Sequence, residues 1–239
     1  MIRRVTMAAA AALLLLAPAA HADLVTYDQD FEALVQADPQ ALGNNGWKVF
    51  ANVFSPDHSA YYYGYGVFPA PNNSGGFCGI DLAGGGAQGT QDMVVYSDYN
   101  NGDHANGNQI EANVFQEQVI GAGDVGSTWV FQFDAKKGNL ESPTTALAFI
   151  KTLNPAWGYA TTNFITLDTT NLAGDWAAYT LTFTVNDPIL VGQILQFGFS
   201  STAGNYKGSG VFYDNVKFRK DGSVDARRHS WGELKTRFR

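Results

Sequence analysis

Apolar and polar side chains alternate with a period of two through much of the second half of this chain. Residues 179–185 place large apolar side chains at every other position, with threonines between them. Residues 129–134 alternate tryptophan and phenylalanine with valine, glutamine and aspartate. This alternation predicts β-strands that bury one face. Alternation and short apolar runs between turn residues predict strands at 23–27, 47–51, 93–96, 110–120, 129–134, 146–153, 163–167, 179–185, 194–200 and 210–218.

Only one segment has a helical pattern. Between Asp30 and Leu42, apolar residues recur at the spacing i, i+3, i+4, which predicts one short helix. Pro39 interrupts this helix, and the turn at 43–46 ends it. Residues 55–91 are rich in Gly, Pro, Asn and Tyr without a clear period, and they predict a long loop. The aromatic content of that loop argues against disorder.

These elements together predict an all-β protein. Short strands with one short N-terminal helix are typical of an antiparallel two-sheet β-sandwich of the jelly-roll type. The composition agrees, because 26 glycines, 13% aromatic and 15% charged residues favour turns and strands over helices. We expect one such domain over residues 23–220, since all-β sandwiches often reach ~200–250 residues.

The two ends of the chain differ from this body. Residues 1–22 have two arginines, an apolar stretch and a small-residue cleavage motif, which predict a signal peptide and a secreted protein. No later stretch approaches ~20 apolar residues, so no membrane span is expected. Residues 221–239 form a basic tail, interpreted either as a docking signal for a secretion or surface component or as a solvated tail.

Charge narrows the classes of partner. Residues 23–218 hold 19 acidic and 6 basic side chains, a net charge of −13. Such a body repels nucleic acid and anionic membranes, and it is compatible with cations and with neutral glycans. Cys78 is the only cysteine, so no internal disulfide can form, and stability must come from core burial, a bound ion or both.

Several sequence motifs then occur in a characteristic order. They are Asp30-Phe31-Glu32 with Gly46-Trp47, Gln116 to Val119, Gly126 to Lys136, Trp176 to Val185, and Gly208 to Val216. In this order they resemble the jelly-roll carbohydrate-binding modules of bacterial glycanases, the cellulose- and xylan-binding type with a galactose-binding-like β-sandwich. The resemblance spans residues ~28–218. Two departures are the insertion at 33–45 and the long segment 55–91.

The resemblance implies a structural calcium ion that joins the start of the chain to the last strand. The matching positions are Asp30, Glu32 and Asp214. Calcium prefers carboxylate and carbonyl oxygens, and a chain without disulfides gains stability from such a clip. The alternative for Asp30 and Glu32 is helix capping, and for Asp214 a solvated acid. The loop 98–108 has a weaker calcium-loop pattern and is better interpreted as a polar turn.

Glycan recognition needs flat aromatic rings beside amides or carboxylates. Tyr61, Tyr63 and Tyr65 could share one face of an extended segment, although they could equally cover a core edge. Trp157 and Tyr159, in a loop after Pro155, are second candidates. Separately, Gln116 and Gln118 project from one face of a strand and could bind glycan hydroxyls. Trp47, Trp129 and Trp176 are interpreted as core residues.

The function expected from these observations is an exported, non-catalytic, calcium-stabilised carbohydrate-binding module. One alternative is a surface or matrix structural protein without sugar affinity. Another is a polysaccharide-acting enzyme, for which Glu111 and Glu117 are the nearest approach to a carboxylate pair. No Gly-x-Ser-x-Gly or His-Glu-x-x-His motif occurs.

Overall fold

A computed structural model of the chain describes residues 22–73 and 75–222. In this part of the chain the strands are β1 (Tyr27–Gln29), β2 (Lys48–Phe54), β3 (Tyr61–Pro69), β4 (Cys78–Asp81), β5 (Asp92–Val95), β6 (Gln109–Val119), β7 (Thr128–Lys137), β8 (Thr145–Asn154), β9 (Ala160–Asp168), β10 (Ala177–Thr184), β11 (Ile194–Gly204) and β12 (Val211–Lys220). The one α-helix described is α1 (Ala41–Asn44).

The strands form two antiparallel six-stranded sheets. One sheet, the β12 sheet, has the order β10-β7-β12-β5-β4, with β1 also paired to β12. The other, the β6 sheet, has the order β3-β2-β6-β11-β8-β9. The predicted all-β sandwich is therefore confirmed, and ten of its strands fall at or close to the predicted positions.

Stacked aromatic rings from both sheets form the centre of the core. Phe199 of β11 stacks on Tyr213 of β12, with ring centroids 3.6 Å apart. Phe197 stacks on Phe218 from the same two strands at 4.3 Å. All four side chains are fully buried. These contacts explain why the alternating strands form, because each places one row of rings between the sheets.

The predicted helix from Asp30 to Leu42 is largely wrong. Phe31 is fully buried with a φ of 59°, a left-handed conformation that cannot lie inside a right-handed helix. Turns occupy residues 31–40, and helical structure begins only at Ala41, beyond Pro39.

The predicted long loop at 55–91 is also wrong, because it contains β3 and β4. Strand β3 lies at the edge of its sheet, and most of its residues are exposed. Only Tyr65 of this strand packs against the core, so its sequence shows no alternation of apolar and polar residues. The segment 98–108 is a polar turn with a short 3₁₀-helix at Gly102–Asn106.

The predicted signal peptide at 1–22 lies almost wholly outside the described residues, and so does the basic tail beyond Gly222.

The aromatic stack generates a stability prediction. We expect Phe199→Ala to lower the free energy of unfolding by about 3–5 kcal/mol, because it removes a buried ring that contacts the opposite sheet. Phe164→Ala is the matched control, since Phe164 is 57% exposed on β9, and we expect a change of less than about 0.5 kcal/mol. Chemical denaturation checks both values. Equal effects of the two substitutions would contradict the stack as the centre of the core.

Candidate functional site

The outer face of the β6 sheet carries the candidate site. On β6, the side chains of Ile110, Ala112 and Val114 are buried in the core between the sheets. Because successive side chains of a strand face opposite ways, Glu111, Asn113, Phe115 and Glu117 lie on the outer face. Phe115 is fully buried yet does not belong to the core cluster. It therefore has to be covered on the outer face.

The strand register brings three polar residues of this face into one row. Glu117 of β6 pairs with Gln196 of β11, and Gln196 pairs with Lys151 of β8. Paired residues project from the same face of a sheet. Nothing in the sequence spacing connects these residues, because each comes from a different strand.

A cavity of about 690 Å³ extends over this row. Its walls combine residues from all six strands of the sheet and from the β8–β9 connection. The lining residues are Phe50, Asn52, Gly66, Val67, Phe115, Glu117, Lys151, Leu153, Tyr159, Thr161, Ile194 and Gln196. We call this cavity the cleft.

Gly198 explains how the cleft floor is shaped. It pairs with Phe115 on one side and with Phe149 on the other. A Cβ at this position would collide with the carbonyl oxygen of Val114. The absence of a side chain lets β11 approach the backbone of β6 closely here, and Lys151 extends over the flanking rings of Phe115 and Phe149.

The carboxylates on this face have protein partners. Glu117 forms an ion pair with Lys48, with 3.0 Å between Oε1 and Nζ, and accepts a hydrogen bond from Gln196 Nε2 at 2.7 Å. Glu111 Oε1 accepts from the amides of Asn52 at 2.8 Å and Asn113 at 2.9 Å. Both acids are thus held in fixed positions.

The contacts of Lys151 are with aromatic rings rather than with polar partners. Its Nζ lies 4.8 Å from the ring centroid of Phe149 and 5.6 Å from that of Phe115. Burial against these rings lowers the pKa of Lys151, and the charges of Glu111 and Glu117 act in the opposite direction. The sequence pattern did not predict Lys151, Glu117 or Gln196 as ligand-binding residues.

One predicted glycan-binding residue, Tyr159, lies at the cleft, and a second, Trp157, is two residues away in the sequence. Trp157 lies in the short 3₁₀-helix Pro155–Trp157. Trp157 is 64% exposed and Tyr159 is 60% exposed. Asn154 begins this turn by accepting a hydrogen bond from Ala156 N. The β8–β9 connection therefore presents two rings to solvent, and the ring of Tyr159 lines the cleft.

Tyr61, Tyr63 and Tyr65 do not share one face, which corrects the prediction. Tyr63 and Tyr65 pair with core-facing residues of β2, and their hydroxyls donate to Asp103 at 2.6 Å and to Asp98 at 2.7 Å. They therefore anchor the 98–106 turn on the side away from the cleft. A register shift in the β2–β3 pairing places Tyr61 beside Phe54 instead.

Gln116 and Gln118 lie on the same face of β6 as its core residues, opposite the cleft. Gln116 Nε2 donates to the carbonyl of Asn45 at 3.1 Å. Gln118 accepts from Val25 N at 2.7 Å and donates to Val25 O at 3.0 Å. Both amides fasten the N-terminal part of the chain to the sheet.

A second group of polar residues lies on the outer face of the β12 sheet. Asp214 of β12 pairs with Asp134 of β7, and Asp92 of β5 pairs with Asp81 of β4. The neighbouring pair Tyr213–Met93 places Asp92 next to Asp214. We call these four aspartates, on four adjacent strands, the aspartate row.

The two central members of the row are fully buried. Both carboxylate oxygens of Asp92 and Oδ2 of Asp214 have no hydrogen-bond partner among the described residues. Burial is the main cause that raises the pKa of Asp92 to about 7 and that of Asp214 to about 8, and neighbouring acids raise both further. The charge of Lys136 near Asp92 and the hydrogen bond from Asn215 N to Asp214 Oδ1 offset this burial only in part.

The other two predicted calcium ligands lie close to this row. The charge of Asp30 contributes to the raised pKa of Asp214, and that of Glu32 to the raised pKa of Asp92. Glu32 Oε1 accepts from the backbone N–H groups of Thr90 at 2.7 Å and Gln91 at 2.6 Å. Over residues 22–73 and 75–222, no three His, Cys, Asp or Glu side chains form a group that could hold a metal ion.

The carboxylate pair considered for catalysis is too far apart. Glu111 and Glu117 lie six residues apart on one continuous strand, which separates their backbones by ~20 Å. Glycosidases need their two carboxyl groups within ~5–9.5 Å of each other.

Several solved structures are similar to this chain at low sequence identity. No protein-family model and no curated protein matches the chain. Solved structures similar to it include the enzymatically active domain of bacteriophage CBA120 tailspike protein 4, with 14% identity, 78% of this chain and 21% of that chain covered, and a TM-score of 0.44.

Two other similar structures have different activities. The CBM22-1–GH10 modules of Clostridium thermocellum xylanase 10B, complexed with xylohexaose, share 15% identity over 82% of this chain and 28% of that chain, with a TM-score of 0.44. A cyclase from Fischerella sp. TAU shares 14% identity over 84% of this chain and 100% of that chain, also with a TM-score of 0.44. The chain thus spans less than a third of the tailspike and xylanase chains. None of the described helices is long and apolar enough to cross a membrane.

The position of Gln118 generates a prediction. We expect Gln118→Ala to speed amide hydrogen exchange at Val25, because the substitution removes both side-chain bonds to that residue, worth about 1 kcal/mol each. Glycan affinity should not change. Gln109→Ala, which removes a bond to the Pro56 carbonyl, is the control and should leave Val25 unaffected. Unchanged exchange at Val25 together with a loss of glycan affinity would restore Gln118 as a ligand-binding residue.

Proposed function

We propose that this chain is an exported, non-catalytic carbohydrate-binding protein whose ligand lies in the cleft of the β6 sheet. The observation that carries the proposal is the mixed character of the cleft walls. The accessible rings of Phe50 and Tyr159 offer apolar surfaces, and Asn52 and Gln196 contribute amides to the same walls. Sugar rings have apolar C–H faces and hydroxyl edges, so they need this combination.

The size of the cleft supports the same proposal. Its volume of about 690 Å³ lies within the ~300–1,000 Å³ that is usual for ligand pockets. It crosses the sheet from Gly66 on the edge strand β3 to Thr161 on the opposite edge strand β9. A cleft that reaches both sheet edges suits a chain-like ligand better than a compact one.

The exposed rings at 157–159 generate the test. On a glycan array followed by calorimetry, we expect Tyr159→Ala and Trp157→Ala each to weaken binding roughly 10-fold, because each removes a stacking surface. Tyr63→Ala is the matched control, since its ring lies on the other side of the sheet. It should keep the affinity of the unsubstituted protein.

Three outcomes would contradict the proposal. The absence of binding to any plant, algal or bacterial polysaccharide would rule out a glycan-binding role. An equal loss in Tyr63→Ala would place the ligand elsewhere. Release of reducing sugar from the bound polymer would show that the protein is an enzyme.

We also propose that the aspartate row takes part in a structural calcium site, which the sequence analysis expected at Asp30, Glu32 and Asp214. The support is chemical, because Asp92 and Asp214 offer three buried carboxylate oxygens without partners. Calcium takes six to eight oxygen ligands, and a bound cation would compensate these charges. Asp92 joins the predicted set, whereas Glu32 Oε1 already accepts two backbone hydrogen bonds.

The raised pKa values predict how stability depends on pH. Without metal, Asp92 and Asp214 keep their protons up to about pH 7 and about pH 8 in the folded state, whereas their ordinary pKa is 3.8. The folded protein therefore binds more protons than the unfolded chain in this range, and its stability falls as the pH rises. The fall should be on the order of 1 kcal/mol per pH unit for each group.

Calcium competes with these protons, so it should raise the melting temperature more at pH 8 than at pH 5. Thermal melts in chelator and in calcium at both pH values measure this effect. Asp214→Asn should reduce the calcium response, and Glu141→Gln, at an exposed acid, should retain it. A calcium response that is equal at both pH values, or unchanged in Asp214→Asn, would contradict a site at the aspartate row.

A further inference from the structure

Lys151 presents a cation to the cleft without a protein counter-ion. Among the described residues, the salt bridges within 4.0 Å are Lys48–Glu117 and Lys207–Glu141. Lys151 Nζ is in neither salt bridge. The contacts described for it are cation–π contacts with the rings of Phe149 and Phe115. Lys151 is half-buried, and an ammonium partly removed from water without a paired anion carries a desolvation cost.

The nearby carboxylates do not remove this cost. Glu117 already pairs with Lys48 and accepts from Gln196. Glu111 is held by two amides at 2.8 and 2.9 Å. Neither acid has a carboxylate oxygen within 4.0 Å of Lys151 Nζ. Lys151 is therefore the cleft cation that remains for a ligand.

A neighbouring residue adds a second unsatisfied group. Gln196 lines the cleft beside Lys151, and its Nε2 is fixed by the bond to Glu117. Its Oε1 is buried without a hydrogen-bond donor. This part of the cleft thus has one unpaired cation and one unpaired acceptor on adjacent strands.

We propose that the cleft selects glycans whose sugar units carry a carboxylate, with Lys151 as the residue that binds it. This inference rests on the proposed glycan-binding function and adds the substrate class. A neutral hydroxyl could accept a hydrogen bond from Lys151 but would leave its charge uncompensated. A uronate unit supplies the anion for Lys151, a hydroxyl donor for an amide oxygen such as that of Gln196, and a ring face for the aromatic walls.

The acidic surface of the protein limits this selection to short range. Residues 23–218 carry a net charge of −13, which repels a polyanion at a distance. At physiological ionic strength this field is screened beyond ~8 Å, whereas a buried pair is screened much less. The additional affinity that the carboxylate provides must therefore come from direct contact inside the cleft, and added salt should change this additional affinity little.

The test compares each acidic glycan with a neutral partner of the same backbone. Oligomers of galacturonate, mannuronate, guluronate and glucuronate-substituted xylan are titrated calorimetrically beside their carboxyl-reduced forms. We expect at least one acidic oligomer to bind roughly 10- to 100-fold more tightly than its reduced form, as is usual for a hydrogen bond to a charged group.

Lys151→Met keeps the length and apolar stem of the side chain while removing its charge. It should abolish the preference for the acidic form, so that the acidic and the reduced oligomer of each pair bind with equal affinity. Lys207→Met, at a half-exposed lysine paired with Glu141, should keep the preference. Binding to the reduced form also shows that the Lys151→Met protein is folded.

The outcomes separate the two proposals. Equal or tighter binding of the reduced form in every pair, or a preference that survives Lys151→Met, overturns the selection by Lys151 but leaves the glycan-binding function intact. If the protein binds neutral polymers but no acidic ones, the selection by Lys151 is likewise overturned and the glycan-binding function stands. Failure to bind any acidic or neutral glycan rejects the glycan-binding function itself.

Discussion

Both outer faces of this protein depend on the stacking of aromatic rings between the sheets. The described core holds no disulfide, since the single Cys78 is a buried free thiol. Phe197 and Phe199 of β11 contact Phe218 and Tyr213 of β12 and so fix the inward face of β11. Once that face is fixed, the residues between and beside these rings must point outward. A shift of one residue in the register of β11 would bury the residues of the cleft floor and expose the core rings.

The cleft is a consequence of this arrangement. Gln196 and Gly198 alternate with the two phenylalanines of β11, and the antiparallel register places Glu117 and Lys151 on either side of Gln196. The polar row therefore exists only when three strands pair in one register. Its amide and ion-pair contacts hold Glu117 in place, so the floor is organised before a ligand binds.

The sequence predicts this fold well where a strand has one buried face and poorly where it has none. The alternation at 129–134 and 179–185 predicts β7 and β10 correctly, because their apolar rows face the core. β3 was missed because it is an exposed edge strand.

The sequence did carry a signal against Gln116 and Gln118 as ligand residues, since they share the face of Ile110. The Lys151–Gln196–Glu117 row had no local signal, because it depends on strand pairing.

The two outer faces carry ionisable groups of opposite type that form no salt bridge within 4.0 Å among the described residues. On the β6 sheet this group is the ammonium of Lys151, and on the β12 sheet it is the pair of carboxyl groups of Asp92 and Asp214. The aromatic core between them cannot solvate either group, and the two lie on opposite sides of it. Each must therefore be compensated locally, by a proton change or by a bound partner. An anion in the cleft and a cation at the aspartate row would satisfy both without altering the core.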